Sequence, residues 1–379
     1  MKLMFNPSKL HWSNYFLKKG EDFKPFWKLY LEERERKLLY IIGVGFDLRM
    51  CLGLDALLTS TPSINCDCIS IEYHEGPSSP SKKHGDKLEL NRTKINNLLK
   101  KCQKHIPKKI SMWSDDGRPI GDIKSKDIIS NIGELLDYTD IIVDISALPK
   151  NVYFPLIGKI LYLIDDYRKD DSTKKVPNFH VIVAESAIID RKIIEVDLIT
   201  DAFFLRGFTS GLENESAQNI PTIWVPILGE QRKEHLKGIL KKVTPDEIWP
   251  VLPSPSMDPR RGDKLILEYR DFLFDQENVE PRNIIYASEK NPFDLYRQIH
   301  RIIHYNNEAL RPLGGCKVAI SPLSSKLLSI GALLAVYELK KSENNVAIAL
   351  IVPQGYNIEE ISEEESSQIE LFSLLLIGV

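Results

Sequence analysis

The chain has 379 residues, more than one hydrophobic core usually accommodates, so two domains are expected. Apolar residues make up 43% of the chain and charged residues 27%, which excludes an intrinsically disordered protein. The net charge of -3 provides no overall attraction to nucleic acid or to a membrane surface, so a polyanion site would have to be a local patch.

The cysteine content predicts a cytoplasmic protein with reduced thiols. The five cysteines are odd in number and scattered, which does not fit a disulfide framework. Cys66 and Cys68 would share one face of a strand, but no second ligand pair accompanies them, so no metal site is expected. No apolar run approaches the roughly twenty residues that a membrane-spanning helix needs.

The first part of the chain alternates strands with helices. Residues 23–37 carry aromatic side chains at helical spacing and predict an amphipathic helix whose stripe packs on the protein body. Continuous apolar runs then predict buried parallel strands, with helices at 88–105 and 152–167 between them. The predicted strands are 38–42, 68–71, 109–113, 140–143 and 179–184. A polar loop over 76–85 is expected to overhang the sheet edge.

A second alternation follows the strand predicted at 222–227 and the helix predicted at 231–242. The proline-rich segment 249–259 is interpreted as a covalent bridge between two lobes, because such a proline density suits neither a helix nor a central strand. Beyond it the pattern predicts strands at 283–287, 317–320 and 346–352, with helices at 292–306 and 326–339. The apolar terminus 371–379 is expected to form an edge strand of this second sheet.

These elements predict an α/β fold of two Rossmann-like lobes, each a mainly parallel sheet flanked by helices. The expected domains are an N-terminal helical segment (1–37), a larger α/β domain (38–244) and a smaller α/β domain (245–379). No internal sequence repeat is visible. The stretches 43–47 and 144–149, which follow the strands at 38–42 and 140–143, resemble those of a Rossmann-like variant. They match no named group of such proteins.

Polar residues follow the first predicted strand directly. Gly43 and Gly45 would permit a tight turn and close approach to a phosphate or adenosine, and Asp47 and Arg49 follow them. Glu72 ends the second predicted strand, where dinucleotide and S-adenosylmethionine binders place a ribose-binding carboxylate. A tight turn with an exposed acid, or an Asp47–Arg49 ion pair that fixes the loop, explains the same residues without a ligand.

The end of the predicted strand 140–143 adds a second acid to this crevice. Ser146 suits a helix cap and Asp144 a ligand contact, although capping alone explains both residues. Since carboxyl ends of parallel strands line the ligand crevice of such folds, Asp144, Asp47 and Arg49 are predicted to form one polar cluster.

In the second lobe, a strand runs into a loop of hydroxyl groups and a lysine. Ser321, Ser324, Ser325 and Lys326 are predicted to hold a phosphate, or alternatively only to cap a core helix. The pair Arg260 and Arg261 is expected to grip the same anion. Local neutralisation by the acidic residues at 258, 263 and 268 is the alternative.

No recognised catalytic set is present in the sequence, so neither an enzymatic reaction nor a cofactor is assigned. The favoured hypothesis is a protein that binds a nucleotide or a phosphorylated metabolite. It would act as a sensing or assembly subunit of a multi-protein complex, for example one in bacterial antiviral defence. The alternatives are an enzyme acting on such a ligand and an S-adenosylmethionine-dependent methyltransferase. Expected partners are another protein or a second copy of the chain and a small anion, without a membrane or direct nucleic-acid contact.

Overall fold

The computed structural model describes residues 5–61, 64–76, 79–196, 201–212, 219–342 and 344–378. The strands formed by these residues are β1 Phe16–Lys19, β2 Lys37–Val44, β3 Asn65–His74, β4 Lys104–Ser111, β5 Asp140–Asp144, β6 Asn178–Glu185, β7 Ile193–Val196, β8 Phe203–Thr209, β9 Thr222–Ile227, β10 Glu247–Ile248, β11 Val251–Pro253, β12 Ile285–Ala287, β13 Lys317–Pro322, β14 Val346–Leu350, β15 Gly355–Ile358 and β16 Glu370–Ile377. The α-helices are α1 Phe23–Glu32, α2 Leu52–Ser60, α3 Gly85–Leu99, α4 Gly121–Lys124, α5 Gly133–Leu136, α6 Lys150–Arg168, α7 Ala187–Lys192, α8 Lys233–Val243, α9 Arg261–Arg270, α10 Pro292–Ala309, α11 Lys326–Lys341 and α12 Glu363–Ser367.

The chain divides into two compact units. The first unit comprises Tyr15–Asp197 and Gln354–Val379, and the second comprises Met1–Asn14 and Leu198–Pro353. Each contains a large, mostly parallel sheet flanked by helices, which confirms the predicted fold class.

The first unit is built on the sheet β1-β16-β6-β5-β2-β3-β4, in which β6, β5, β2, β3 and β4 run parallel. Side chains of α1, α2 and α3 pack on one face of this sheet, around Trp27, Tyr40 and Leu54. The aromatic stripe of α1 therefore lies in the core, because burying these rings removes a large apolar area from water.

The second unit is built on the sheet β12-β11-β9-β13-β14-β8, in which only the edge strand β8 runs antiparallel. Helices α8 and α9 pack on one face around Trp224 and Leu265. Helices α10 and α11 meet at Gly331, where a Cβ atom would overlap the carbonyl oxygen of Pro292. Glycine at this position thus allows two helices to pack at a distance that no other residue permits.

Both sheets have the same strand order, although the sequence shows no repeat. Numbered along the chain within each unit, the five parallel strands lie in the order 3-2-1-4-5, with an antiparallel strand beside the fifth. In this topology the chain leaves the first strand toward one side and later returns to its other side. The resulting switch point lies between β2 and β5 in the first unit and between β9 and β13 in the second.

The boundary between the units differs from the sequence prediction. It lies near residue 198 instead of 245. The predicted N-terminal segment 1–37 is divided between the units: residues 1–14 belong to the second unit, where Trp12 packs edge-on against Tyr296, and the rest belongs to the first. The proline-rich segment forms β11 inside the second sheet and not a bridge. Prolines are tolerated here because a proline lacks an N–H group but keeps its carbonyl oxygen, which can still accept a hydrogen bond. The carbonyl oxygen of Pro250 accepts one from the amide of Ile285.

Two further predictions are corrected by strand pairing. The terminal strand β16 belongs to the first sheet, where it lies between β1 and β6 and not at an edge. The helix predicted over 88–105 ends at Leu99, and the residues from Lys104 onward form the edge strand β4. Because an edge strand buries little of its surface, β4 lacks the continuous apolar run that identifies the central strands.

Candidate functional site

The two switch points are the positions at which folds of this kind hold ligands. In the first unit, the turn after β2 contains Gly43, Gly45, Asp47 and Arg49, and the turn after β5 contains Ser146. In the second unit, the turn after β9 contains Gly229, and the turn after β13 leads through Ser324 and Ser325 into α11. The predicted site residues thus occupy the expected edge of each sheet, and their exposure and partners distinguish the two crevices.

Asp144 is fully buried and takes part in hydrogen bonds within the core of the first unit. Its carboxylate accepts hydrogen bonds from the Tyr40 hydroxyl (2.6 Å), the Ser146 amide (2.9 Å) and the Ser146 hydroxyl (2.5 Å). The Ser146 hydroxyl oxygen in turn accepts the amide hydrogen of Ala184 at 2.9 Å. Burial, together with the adjacent Asp144 charge, raises the pKa of Tyr40 well above its usual value. These contacts join β5 to β2 and β6.

The glycines of the first switch point make room for protein side chains. A Cβ atom on Gly43 would lie 2.5 Å from a methyl carbon of Leu148, and one on Gly45 would overlap the Tyr73 hydroxyl. That hydroxyl donates a hydrogen bond to the carbonyl oxygen of Ala147 at 2.9 Å. Leu148 and Tyr73 therefore occupy the space that a phosphate or adenosine would need beside these glycines.

Asp47 and Arg49 form an ion pair with each other, which the sequence analysis gave as the alternative to a ligand-binding role for these two residues. The Arg49 guanidinium is 1% exposed and contacts Asp47 at 2.8 Å and Asp190 at 2.7 Å. Burial alone would lower the pKa of Arg49, but the two carboxylates outweigh it and raise the pKa above its usual value. The Asn91 side chain donates to the carbonyl oxygens of Gly45 and Asp47, both at 2.9 Å, which fixes the loop from a second direction.

Glu72 lies apart from these buried groups. It pairs in register with Val44 and Lys109 at the carboxyl end of β3, and its carboxylate lies 3.7 Å from the guanidinium of Arg92 in α3. Its side chain is 28% exposed, compared with 9% for Asp47. Of the candidate carboxylates Asp47, Glu72 and Asp144, only that of Glu72 is substantially open to solvent.

The second switch point is built around the start of α11. Ser321 is buried, and its hydroxyl oxygen accepts a hydrogen bond from the Trp224 indole at 3.0 Å. Ser325 caps α11 by accepting the amide hydrogen of Leu328 at 3.2 Å. A Cβ atom on Gly229 would overlap the carbonyl oxygen of Leu323 and lie 2.9 Å from the Cα atom of Ser324, so the two switch-point loops touch through their backbones. Ser324, Ser325 and Lys326 are all partly exposed.

The two predicted anion-binding arginines have different environments. Arg261 is buried, and its guanidinium contacts Glu230 through two nitrogens (2.8 and 2.7 Å) and Glu289 through the third. Arg260 is exposed, and its amide donates to the Asp258 carboxylate at 3.0 Å. The bidentate contact predicted for an anion is thus made by Arg261 to a glutamate after β9, which stiffens the wall of the crevice.

Two groups of residues escaped the sequence analysis. Asp140, at the start of β5, is fully buried together with His180 and contacts Arg36 and Tyr30, although no local motif brings these side chains together. A cavity of about 470 Å³ lies in the second unit, where β10 and β12 approach the outer face of α10. Its lining combines aromatic, amide and charged side chains: Glu247, Trp249, Arg282, Asn283, Ile285, Gln298, Arg301, Ile302, Tyr305, Asn306, Ala309 and Leu310.

Within the described part of the chain, no group of three or more histidine, cysteine, aspartate or glutamate side chains is arranged to hold a metal ion. Two buried thiols, Cys51 after β2 and Cys316 at the amino end of β13, have their pKa raised to about 12 by burial, to which the Asp144 charge adds at Cys51. Neither is therefore a thiolate at neutral pH.

The described helices include none with the length and apolar character needed to traverse a bilayer.

Comparison with known proteins identifies no family. No protein-family model and no curated protein matches the chain. Among solved structures, a protein assigned to the universal stress proteins of Pseudomonas aeruginosa UCBPP-PA14 is similar at 11% identity and a TM-score of 0.24, over 84% of this chain and 94% of that one. A universal stress protein from Archaeoglobus fulgidus DSM 4304 is similar at 8% identity and a TM-score of 0.22, over 83% and 96%. The cytoplasmic domain of a prokaryotic cation chloride cotransporter reaches 10% identity and a TM-score of 0.20, over 84% and 96%. Similarity at this level supports no specific function, and the α/β assignment rests on the strand order described above.

Proposed function

We propose that the protein binds a nucleotide or another phosphate-bearing metabolite at the switch point of the second unit, between β9 and β13. The observation that carries this proposal is the contrast between equivalent loops of the two sheets. Ser146 in the first unit is fully buried, whereas Ser324, Ser325 and Lys326 in the second are partly exposed. The second of the two switch-point loops therefore has the more exposed polar residues, with Ser325 and Lys326 both partly exposed.

The chemistry of this loop suits an anion. The sixteen-residue helix α11 begins at Lys326, so the positive end of its dipole faces the loop. The Lys326 ammonium adds a full positive charge at the same position, and the Ser325 hydroxyl, which accepts the Leu328 amide hydrogen, still has its own hydrogen to donate. The contact between Gly229 and Ser324 holds the two loops together, and the Arg261 ion pairs hold the neighbouring wall.

We further propose a non-catalytic role, as a sensing or assembly subunit of a larger complex. In the first unit, the acids expected to serve an enzyme are tied to protein partners, as Asp144 is to Tyr40 and Asp47 to Arg49. The methyltransferase alternative requires S-adenosylmethionine beside Gly43 and Gly45, where Leu148 and Tyr73 already lie. Bacterial antiviral defence is the setting proposed for such a subunit.

The test is calorimetric titration of the full chain with nucleoside mono-, di- and triphosphates and with inorganic pyrophosphate. Lys326→Ala is expected to weaken binding by about 1–3 kcal/mol, as loss of a charge-assisted contact does. Lys341→Ala, at the opposite end of α11, is the matched control with the same change in net charge and should bind as the wild type does.

Three outcomes would contradict the site. One is the absence of binding by every probe, and another is equal affinity of the Lys326→Ala and Lys341→Ala variants. The third is binding that depends on Arg301 of the 470 Å³ cavity and not on Lys326. Native mass measurement with and without the bound probe tests the assembly role, for which a ligand-dependent change in oligomeric state is expected.

A further inference from the structure

The cavity of about 470 Å³ in the second unit lies away from the switch point between β9 and β13. Its lining includes Glu247, which pairs in register with Ile223 at the start of β9, and Asn283, which precedes β12. The switch-point loops follow the opposite, carboxyl ends of the parallel strands, where β9 ends at Ile227. The cavity is therefore a second place on this sheet, separate from the loop that contains Lys326.

One face of α10 forms a wall of this cavity. The lining residues of the helix recur at spacings of three and four, as residues on one helix face do: Gln298, Arg301, Ile302, Tyr305, Asn306 and Ala309. Ile302 and Asn306 are buried, whereas Arg301 and Tyr305 are exposed. The wall therefore runs from the core to the surface, and solvent reaches the cavity on the side of the exposed pair.

Hydrogen bonds to Glu247 fix the remaining wall. One carboxylate oxygen accepts the indole N–H of Trp249 at 3.1 Å, and the other accepts the side-chain amide of Asn283, also at 3.1 Å. Trp249 and Asn283 are both buried, and the backbone amide of Trp249 donates to the Trp224 carbonyl oxygen at 2.8 Å. A ligand would thus meet a preformed surface, which lowers the entropic cost of binding.

Arg301 supplies an unpaired positive charge at the cavity. Among the residues that the structure describes, none forms a hydrogen bond or an ion pair with the side chain of Arg301 or of Gln298. The other charged lining residues have partners: Glu247 accepts the two hydrogen bonds described above, and Arg282 pairs with Glu280 at 2.5 Å. Two arginines and one glutamate give the lining a net charge of +1, which suits a ligand with a single negative charge.

We propose that this cavity binds a small aromatic carboxylate, with the carboxylate on the Arg301 guanidinium and the ring against Trp249 and Tyr305. A guanidinium matches the two oxygens of a carboxylate with two parallel hydrogen bonds. The Trp249 and Tyr305 rings, with centroids 5.7 Å apart, form a continuous aromatic surface, and Tyr305 is 59% exposed. Such a surface favours contact with a planar ring. A phosphate monoester, with a charge of about −1.5 to −2 at neutral pH, matches the single unpaired cation less well.

The experiment titrates the full chain with benzoate and 2-naphthoate, followed by calorimetry and by saturation-transfer NMR of the probe. Two matched probes each remove one feature: 2-naphthamide lacks the charge, and cyclohexanecarboxylate lacks the aromatic ring of benzoate. We expect 2-naphthamide to bind about ten-fold or more weakly than 2-naphthoate, because the charge-assisted contact is lost. Cyclohexanecarboxylate should bind about two- to ten-fold more weakly than benzoate, because the contact between aromatic rings is lost.

The variants assign these effects to residues. Arg301→Gln should weaken 2-naphthoate binding by about ten-fold or more and leave 2-naphthamide binding unchanged. Tyr305→Leu should weaken both probes by about two- to ten-fold. Arg270→Gln makes the same change in charge at the exposed end of α9, outside the cavity lining, and should bind as the wild type does. Circular dichroism checks that each variant is folded.

Failure of the wild type to bind either aromatic carboxylate at millimolar concentration would overturn the proposal. Equal affinities for 2-naphthoate and 2-naphthamide, or equal affinities of Arg301→Gln and Arg270→Gln for 2-naphthoate, would equally overturn it. Lys326→Ala should bind 2-naphthoate as the wild type does, so the outcome at this cavity is read separately from the outcome at the phosphate site.

Discussion

Replacement of Asp140 by asparagine is expected to destabilise the first unit by about 3 kcal/mol, because it leaves a buried guanidinium without its charge partner. The Asp140 carboxylate is fully buried and accepts hydrogen bonds from the hydroxyls of Tyr30 (2.5 Å) and Thr139 (2.6 Å) and from the Asn178 amide (3.1 Å). The Arg36 guanidinium lies 3.3 Å away, and its side chain is only 3% exposed. Asparagine preserves the shape of the side chain but removes the charge and reverses one group from acceptor to donor.

The magnitude follows from what remains after the substitution. Arg36 keeps a hydrogen bond to the Tyr30 carbonyl oxygen at 2.7 Å and its stacking on the Tyr30 ring. Its other carboxylate neighbour, Glu33, is 72% exposed and lies at 3.5 Å, so this contact is screened by water. Removing one partner of a buried ion pair typically costs about 3–5 kcal/mol, and the remaining contacts of Arg36 place the expected value at the lower end.

The pH dependence gives a second, independent readout. Burial would raise the pKa of Asp140, but hydrogen bonds from His180, Thr139 and Tyr30 outweigh it and hold the pKa well below its usual range. Because the folded pKa lies below the unfolded value of about 3.9, the stabilisation is complete above that value and is lost as the pH falls through the folded pKa. The difference between wild type and Asp140→Asn should therefore be constant from about pH 8 to pH 5 and should shrink only below about pH 4.

The assay is urea denaturation followed by circular dichroism and by tryptophan fluorescence, since Trp27 is buried beside His180 in this unit. Glu33→Gln serves as the control, with an expected change below about 0.5 kcal/mol for an exposed pair. A loss below about 1 kcal/mol in Asp140→Asn would refute the reasoning that the buried pair is strongly coupled. A difference that shrinks between pH 8 and pH 6 would show that His180, whose pKa burial lowers, controls the cluster instead.

Three further substitutions test the two switch points, each by urea denaturation. Arg261→Met should cost about 3–5 kcal/mol because it leaves two glutamates facing each other, and a near-neutral result would contradict its role in holding the crevice wall. Tyr40→Phe should cost about 1–3 kcal/mol because the buried Asp144 loses a donor; an unchanged stability would show that this hydrogen bond contributes nothing. Gly53→Ala should cost about 1–3 kcal/mol because its Cβ would lie 2.6 Å from the Asp144 carboxylate, whereas Gly85→Ala, with no atom within 4 Å, should be neutral or stabilising. Equal effects of the two glycine substitutions would refute the packing argument.

The central strands were predictable because each is buried on both faces. Strands such as β2 and β5 are continuous apolar runs, and the polar residues that follow them occupy the carboxyl edge of the sheet. The edge strand β4 was predicted only from residue 109, although it begins at Lys104, and the antiparallel strand β8 was not predicted, because their burial is partial and their pairing involves distant residues. The terminal strand β16 was recognised as a strand, but its partner, which begins at Phe16, could not be read from local pattern.

For the candidate site, the sequence determined which residues stand at the strand ends, since strand direction and side-chain alternation follow from local pattern. Only the tertiary structure decided which of them are engaged by the protein itself. Arg261 pairs with Glu230 and Glu289, which lie 31 and 28 residues away along the chain, and Leu148 and Tyr73 fill the space beside Gly43 and Gly45. The physical reason is that ion pairing and close packing act over a few ångströms in space, and the groups brought that close come from segments that no sequence spacing connects.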